Sequence, residues 1–151
     1  MVSEMPITNV KHGDYVVELG PGTSIFKEVT APQAGAFGAR DLGGMNFSLG
    51  WSFLTQPFLM VADAHAHDFD QVLFFLGGDP NNIVDFDAEM ELGLGGKIEL
   101  ITYPACVRIP AGLMHGPLNV KTVNKPVVFI DITFSPGPSI RPVPPGSARE
   151  K

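Results

Sequence analysis

Residues 46–53 alternate with a period of two: Phe47, Leu49, Trp51 and Phe53 are apolar, while Asn46, Ser48, Gly50 and Ser52 are polar or small. That is the period of a strand with one buried face, and no segment of the chain carries a convincing helical period. The same alternation returns over 88–94, where Ala88, Met90, Leu92 and Leu94 are interleaved with Glu89, Glu91 and Gly93. Gly95-Gly96 then reads as a hairpin turn into a strand over 97–103. Further strands are expected over 58–62, 72–76, 105–109, 115–121 and 127–134, with Gln71 opening the second of these and Gly77-Gly78-Asp79-Pro80 closing it with a turn. The first 44 residues are less regular. Short strands are expected at 15–19 and 24–30, and the glycines and Pro32 of 31–44 mark a loop or arm that packs on the barrel or on a partner. Residues 135–151 hold five prolines and few apolar neighbours, so an extended or disordered tail is expected there. About ten short strands separated by Gly/Pro turns predict an all-β sandwich or barrel over 45–134.

The chemistry concentrates in two short segments. His65 and His67 are separated by one residue, as in the run Ala64-His65-Ala66-His67-Asp68. On a strand both rings would leave the same face and reach one metal ion. The polar residues 68–70 can turn the chain, which would set Gln71 beside the pair. His115 comes much later, behind a Pro110-Ala111-Gly112 turn. Imidazole is the commonest protein ligand for borderline transition metals, so three of the chain's four histidines in two such segments point to a metal site. His12 stands apart from both and reads as a surface residue.

These two segments resemble the paired motifs of the cupin superfamily. His65, His67 and Gln71 match the ligands of the first motif, with Gly77-Gly78 at its end, and Pro110, Gly112, His115 and Asn119 match the second. The resemblance spans roughly residues 45–134 and implies a jelly-roll β-barrel holding one divalent transition metal ion, Fe, Mn, Zn or Ni, on His65, His67, Gln71 and His115. Three positions depart from the pattern. Leu59 and Pro104 stand where the motifs begin with glycine, and Gln71 stands where the family usually has Glu. Three imidazoles and an amide are all neutral ligands, so a bound dication keeps its full charge and acts as a stronger Lewis acid. Gln71 also cannot serve as a proton-transferring carboxylate. The base would be a metal-bound hydroxide or one of Tyr15, Tyr103, Asp131 and His12. Asp131 interrupts an apolar strand on the face it shares with Phe129 and Thr133. It is either a pocket acid or a polar residue on the wet or subunit-facing side, and the second reading is preferred.

Composition narrows the setting. A chain of 151 residues that is 44% hydrophobic and 17% charged fits one compact domain. A formal charge of −6 with no Lys/Arg cluster argues against a nucleic-acid partner. The single Cys106 forms no internal disulfide, and neither a signal peptide nor a membrane-spanning run is evident, so a cytoplasmic protein is expected. Trp51, Phe53, Met60, Phe75, Met114, Phe129 and Phe134 are candidates for an apolar pocket lining. The leading function is a metal-dependent enzyme acting on a small organic molecule, of the lyase, isomerase, decarboxylase or dioxygenase kinds that the resemblance implies. A non-catalytic binding or sensing module, or a scaffold with an idle site, are the alternatives. Exposed sheet edges and the 31–44 segment predict a homodimer or larger assembly.

Overall fold

The computed structural model describes residues 8–137, which form eleven strands and one single-turn helix. A small hairpin of β1 (Val10–His12) and β2 (Val16–Glu18) stands apart from the rest. The remaining strands make two antiparallel sheets. β3 (Ala34–Phe37), β4 (Ser48–Leu54), β6 (Gln71–Leu76), β9 (Ala105–Ile109) and β11 (Val127–Thr133) form a five-stranded sheet in the order β3-β4-β11-β6-β9. β5 (Phe58–Val61), β7 (Ala88–Leu94), β8 (Lys97–Ile101) and β10 (His115–Val123) form a four-stranded sheet in the order β5-β10-β7-β8. The chain passes repeatedly from one sheet to the other, and their inner faces share one core in which Leu73 and Phe75 of the first join Met90, Leu92 and Val120 of the second. Phe75 and Phe129 pack ring to ring at 5.2 Å in its centre. This double-sheet β architecture is the jelly roll that the motifs imply.

The N-terminal third departs from expectation in two places. Residues 24–30 form no strand: the Ser24 side chain accepts the Phe26 amide, and the Val29 amide returns to the Phe26 carbonyl, so a hydroxyl-stabilised turn replaces extended pairing. Residues 34–37, expected as part of a loop or arm, are instead an edge strand paired with β4 from Ala34↔Trp51 to Phe37↔Ser48. The turn of helix that follows, α1 (Gly38–Asp41), is held by the buried Asp41 carboxylate, which accepts from the Phe37 amide, the Asn9 side chain and Arg40.

The alternation along β4 is real, but its faces are reversed relative to a simple reading. Ser48, Ser52 and Leu54 are buried, whereas Trp51 and Phe53 are 39% and 36% exposed. Periodicity tells which residues share a face; the register with β11 decides which face turns inward. Trp51 and Phe53 therefore do not line the barrel, and neither do Met114 and Phe134, which are also exposed. Met60, Phe75 and Phe129, the other candidates named for a pocket lining, are buried in the hydrophobic core. The tail expected over 135–151 lies outside the described residues from position 138. Its first residues are tied to the barrel, with the Ser135 carbonyl accepting from the Ser48 hydroxyl and the Pro136 carbonyl from the Ala39 amide.

Candidate metal centre

β5 ends at Val61 and β6 begins at Gln71, so His65 and His67 sit on the crossing between the two sheets rather than on a regular strand as expected. A chain leaving one sheet for the other cannot keep its ladder partners, and here only an isolated bridge remains. His65 pairs with His115 through two backbone hydrogen bonds of 2.8 Å each. Two more links join the same segments: the Gly112 amide donates to the His67 carbonyl, and the Ala111 amide donates to the Asp70 carboxylate. The two motifs are thus one structural unit, joined mainly by backbone.

The position of His115 depends on a bulge. His115 pairs with Leu94 and Leu118 with Leu92, so β10 spends three residues where β7 spends two. Strict alternation would send His115 and Leu118 to opposite faces, yet both are buried. Gly116 absorbs the extra residue at φ 110°, and a Cβ there would come within 2.7 Å of the Asp63 carbonyl oxygen. Only glycine fits this crossing comfortably.

The three imidazoles converge. Their ring centroids lie 4.3 to 5.1 Å apart, and one ligating atom from each ring falls within 4.8 Å of the others. The Nδ1 atoms of His65 and His115 face the carbonyls of Asp63 and Leu113 at 3.2 and 3.0 Å. A ring that donates from Nδ1 presents its Nε2 lone pair elsewhere, which is the usual way a metal-ligating histidine is oriented. His67 is steadied differently, stacking on Phe69 with an interplanar angle of 7°. Burial pushes the His115 imidazole below its ordinary pKa, with the bond to Leu113 opposing, so the neutral form that binds metal is favoured. With metal–nitrogen bonds of about 2.1 Å, two ligating nitrogens sit at most about 4.2 Å apart, so small ring rotations suffice to close the triad on an ion.

Gln71 lies on the inner face at 5% exposure and donates from Nε2 to the Asp131 carboxylate at 2.8 Å. Its Oε1 is buried with no hydrogen-bond partner, the sole such side-chain atom among the described residues. A buried, unpaired amide oxygen costs about 1–3 kcal/mol, and a hard or borderline cation is one group that would satisfy it. The donor set therefore fits a divalent transition metal. Of the two readings open for Asp131, the less favoured one fits: it faces inward with Phe129 and Thr133 rather than to the wet or subunit-facing side. The apolar strand it interrupts was the available signal, and its Gln71 partner was not visible. The other proton-transfer candidates are exposed side chains. Tyr15 is 94% exposed on the β1–β2 hairpin, Tyr103 is exposed between β8 and β9, and His12 pairs with Glu18 at 2.7 Å on that hairpin.

A double-sheet jelly roll with a histidine triad at one sheet crossing defines the class to which the chain compares. No family model matches the sequence, and no curated protein matches it. Among solved structures the chain is similar to ethanolamine utilization protein q from Salmonella typhimurium LT2, with TM-score 0.53, 13% identity, and 88% of this chain and 97% of that one covered. It is also similar to a cupin-2 domain from Rhodospirillum rubrum, with TM-score 0.50, 10% identity, and 94% and 76% covered. Peruvianin-I from Thevetia peruviana latex, described as a cysteine peptidase, aligns with TM-score 0.52 and 14% identity over 77% of this chain and 68% of that one. At such identities these likenesses establish the cupin-type jelly-roll fold. They select no reaction, as the variety of the three proteins makes plain. No helix among the described residues is long and apolar enough to cross a membrane.

Proposed function

We propose that this protein is a metal-dependent enzyme acting on a small organic molecule, with one divalent transition metal ion, Fe, Mn, Zn or Ni, held by His65, His67, His115 and Gln71. The observation that carries the reading is the unpaired Gln71 Oε1 buried in a barrel that also gathers three imidazoles. An ion bound by four neutral ligands keeps its full charge and would supply Lewis-acid polarisation of a carbonyl or carboxylate, suited to lyase, isomerase or decarboxylase chemistry, and less to oxidised states of a dioxygenase. Asp131 clamps the Gln71 amide and sets a carboxylate directly behind the proposed ligand. Burial of His115 keeps water from its ring, while His65 and His67, half-buried, leave the approach through which a substrate enters.

A binding or sensing module without turnover is the second reading, and it is favoured by the exposure of Tyr15, Tyr103 and His12, which leaves Asp131 as the single named proton-transfer side chain in contact with a site residue. The exposed lone thiol of Cys106 suits a reducing compartment, and we read the protein as cytoplasmic. Metal analysis of protein purified without added metals tests the site. About one equivalent per chain, lost in His115→Ala, is expected; full stoichiometry retained in that variant overturns the assignment. Turnover of small carbonyl or carboxylate compounds by the loaded protein, absent after chelation, separates enzyme from binding module.

A further inference from the structure

The inner face of the five-stranded sheet is filled at one end and open at the other. Gly35, Gly50, Asp131, Leu73 and Val107 stand side by side on one inward row, across β3, β4, β11, β6 and β9. Leu73 and Val107 pack into the core at 4% and 9% exposure. Over Gly50 nothing does the same: a Cβ built there would meet only the Ala34 carbonyl oxygen, at 3.9 Å. Gly50 and Asp131 are half-buried although both lie on strands paired along each edge, so solvent reaches them from within the barrel. Protein interiors are close-packed, and an open position of this kind beside polar groups has the character of a ligand cavity.

The polar groups around it can be assigned. The next row toward the metal centre holds Ser48, Thr133 and Gln71, and the row on the other side holds Ser52 and Phe129. Two of the hydroxyls are committed elsewhere, Ser48 donating to the Ser135 carbonyl and Thr133 to the Gly137 carbonyl. The frame of the open position is therefore Asp131, directly opposite Gly50 on β11, and Ser52, two residues on from it along β4. The buried Gln71 Oε1, with no partner, belongs to the same inner face.

Building on the metal assignment above, we propose that the space over Gly50 is the subsite for the far end of the substrate, and that it takes a hydroxyl. The ligand is then a small hydroxylated carboxylate, with its carboxylate on the ion and its hydroxyl between Asp131 and Ser52. A hydroxyl both donates and accepts, which suits an acceptor-only carboxylate facing a serine. An ammonium would donate only, and would stand against the charge of a nearby dication. An alkyl end would press hydrocarbon on a carboxylate. The Gln71 amide sets the scale: its Nε2 lies 2.8 Å from Asp131 Oδ1, so Gln71 Oε1 is at most about 5 Å from that oxygen. A hydroxy acid of about three or four carbons has this reach.

One arm of the test needs no metal. The Gly50 backbone is outside the left-handed region, so a side chain brings no strain of its own. Metal-free Gly50→Ala is expected to match or exceed wild type in denaturant midpoint; a lowered midpoint shows that the space is filled and overturns the proposal. The second arm titrates cobalt-loaded protein with acetate, butyrate and β-hydroxybutyrate, read in the cobalt spectrum. Wild type is expected to bind β-hydroxybutyrate about tenfold or more tighter than butyrate. Asp131→Asn should shrink that ratio toward one. Gly50→Val should keep its cobalt and its acetate affinity and lose the two longer ligands; if it does not fold, the ratios in wild type and Asp131→Asn decide. Equal affinity for butyrate and β-hydroxybutyrate in wild type, or a ratio unchanged in Asp131→Asn, overturns the subsite and leaves the metal centre standing. No bound cobalt, or cobalt blind to all three carboxylates, overturns the metal assignment and the subsite with it.

Discussion

Gln71 Nε2 donates to Asp131 Oδ1 at 2.8 Å, across neighbouring strands of the five-stranded sheet. A carboxylate accepts and does not donate, so this contact fixes which end of the Gln71 amide faces Asp131 and which end remains buried and unpaired. The negative charge that a glutamate ligand would place on a metal is thereby moved one residue back, onto Asp131. The ion would feel a neutral oxygen, and the acid would act from behind it.

The substitution that tests this arrangement is Gln71→Glu. A second carboxylate would then face Asp131 where a donor stood, and like charges at that spacing favour protonation of one of them. The metal-free variant is expected to be less stable than wild type by about 2 kcal/mol at neutral pH, and to regain stability in acid. Adding Asp131→Asn restores a donor and should recover most of the loss. With metal, the variant is expected to bind at least as tightly but to polarise substrate less, so activity falls. Cobalt spectra of wild type and variant check the ligand directly: identical spectra would remove Gln71 from coordination.

How much of this was legible beforehand differs by residue. That His65, His67 and His115 come together was legible from spacing and turn residues, because candidate ligand types and Pro/Gly turns leave local signals. The strand expected over 46–53 is present as Ser48–Leu54, yet its inward face was not foreseen, since Ser48 and Ser52 point into the barrel while Trp51 points out. A strand pattern of that kind is ambiguous until the neighbouring ladder is known. His115 turns inward only because β10 bulges between it and Leu118, and a bulge is set by the register with β7 rather than by local sequence. The choice between the two readings of Asp131 leaned the wrong way for the same reason: its partner is 60 residues away in sequence.

His115→Ala is expected to abolish tight metal binding while leaving a β-rich fold of reduced stability. The side chain is 6% exposed, so its removal leaves a cavity as well as an open ligand position. A loss of about 2 kcal/mol or more is expected from the cavity and the freed Leu113 carbonyl. Circular dichroism and denaturant titration read the fold, and metal content reads the ligand.

Gly116→Ala probes the bulge without touching a ligand atom. The added methyl meets the Asp63 carbonyl at 2.7 Å and forces a side chain onto φ 110°. Asp63 is also the residue whose carbonyl steadies His65 Nδ1, so strain at this crossing is carried into the triad. Destabilisation of about 1–3 kcal/mol is expected, with weakened metal affinity at constant ligand identity. Unchanged metal affinity would show that the 63–65 backbone holds its place without help from the bulge.

The last prediction concerns acid. Burial lowers the His115 pKa below its ordinary value of 6.5, with the Leu113 carbonyl contact acting in the opposite sense. The unfolded chain therefore binds this proton more readily than the folded one. The stability linked to His115 is present above pH 6.5 and is lost as the pH falls from there through the folded value. One proton contributes a slope of at most about 1.4 kcal/mol per pH unit. Carboxylates titrate lower and confuse the raw curve, so the informative quantity is the difference between wild type and His115→Asn, both metal-free, in urea titrations stepped from pH 8 to pH 5. Wild type should lose more stability than the variant over that range. Metal adds a second dependence of the same sign, because imidazoles must be neutral to bind, and loaded wild type should therefore show the steepest acid loss of the three samples. Parallel curves for wild type and variant would mean that the buried ring is not the group that titrates.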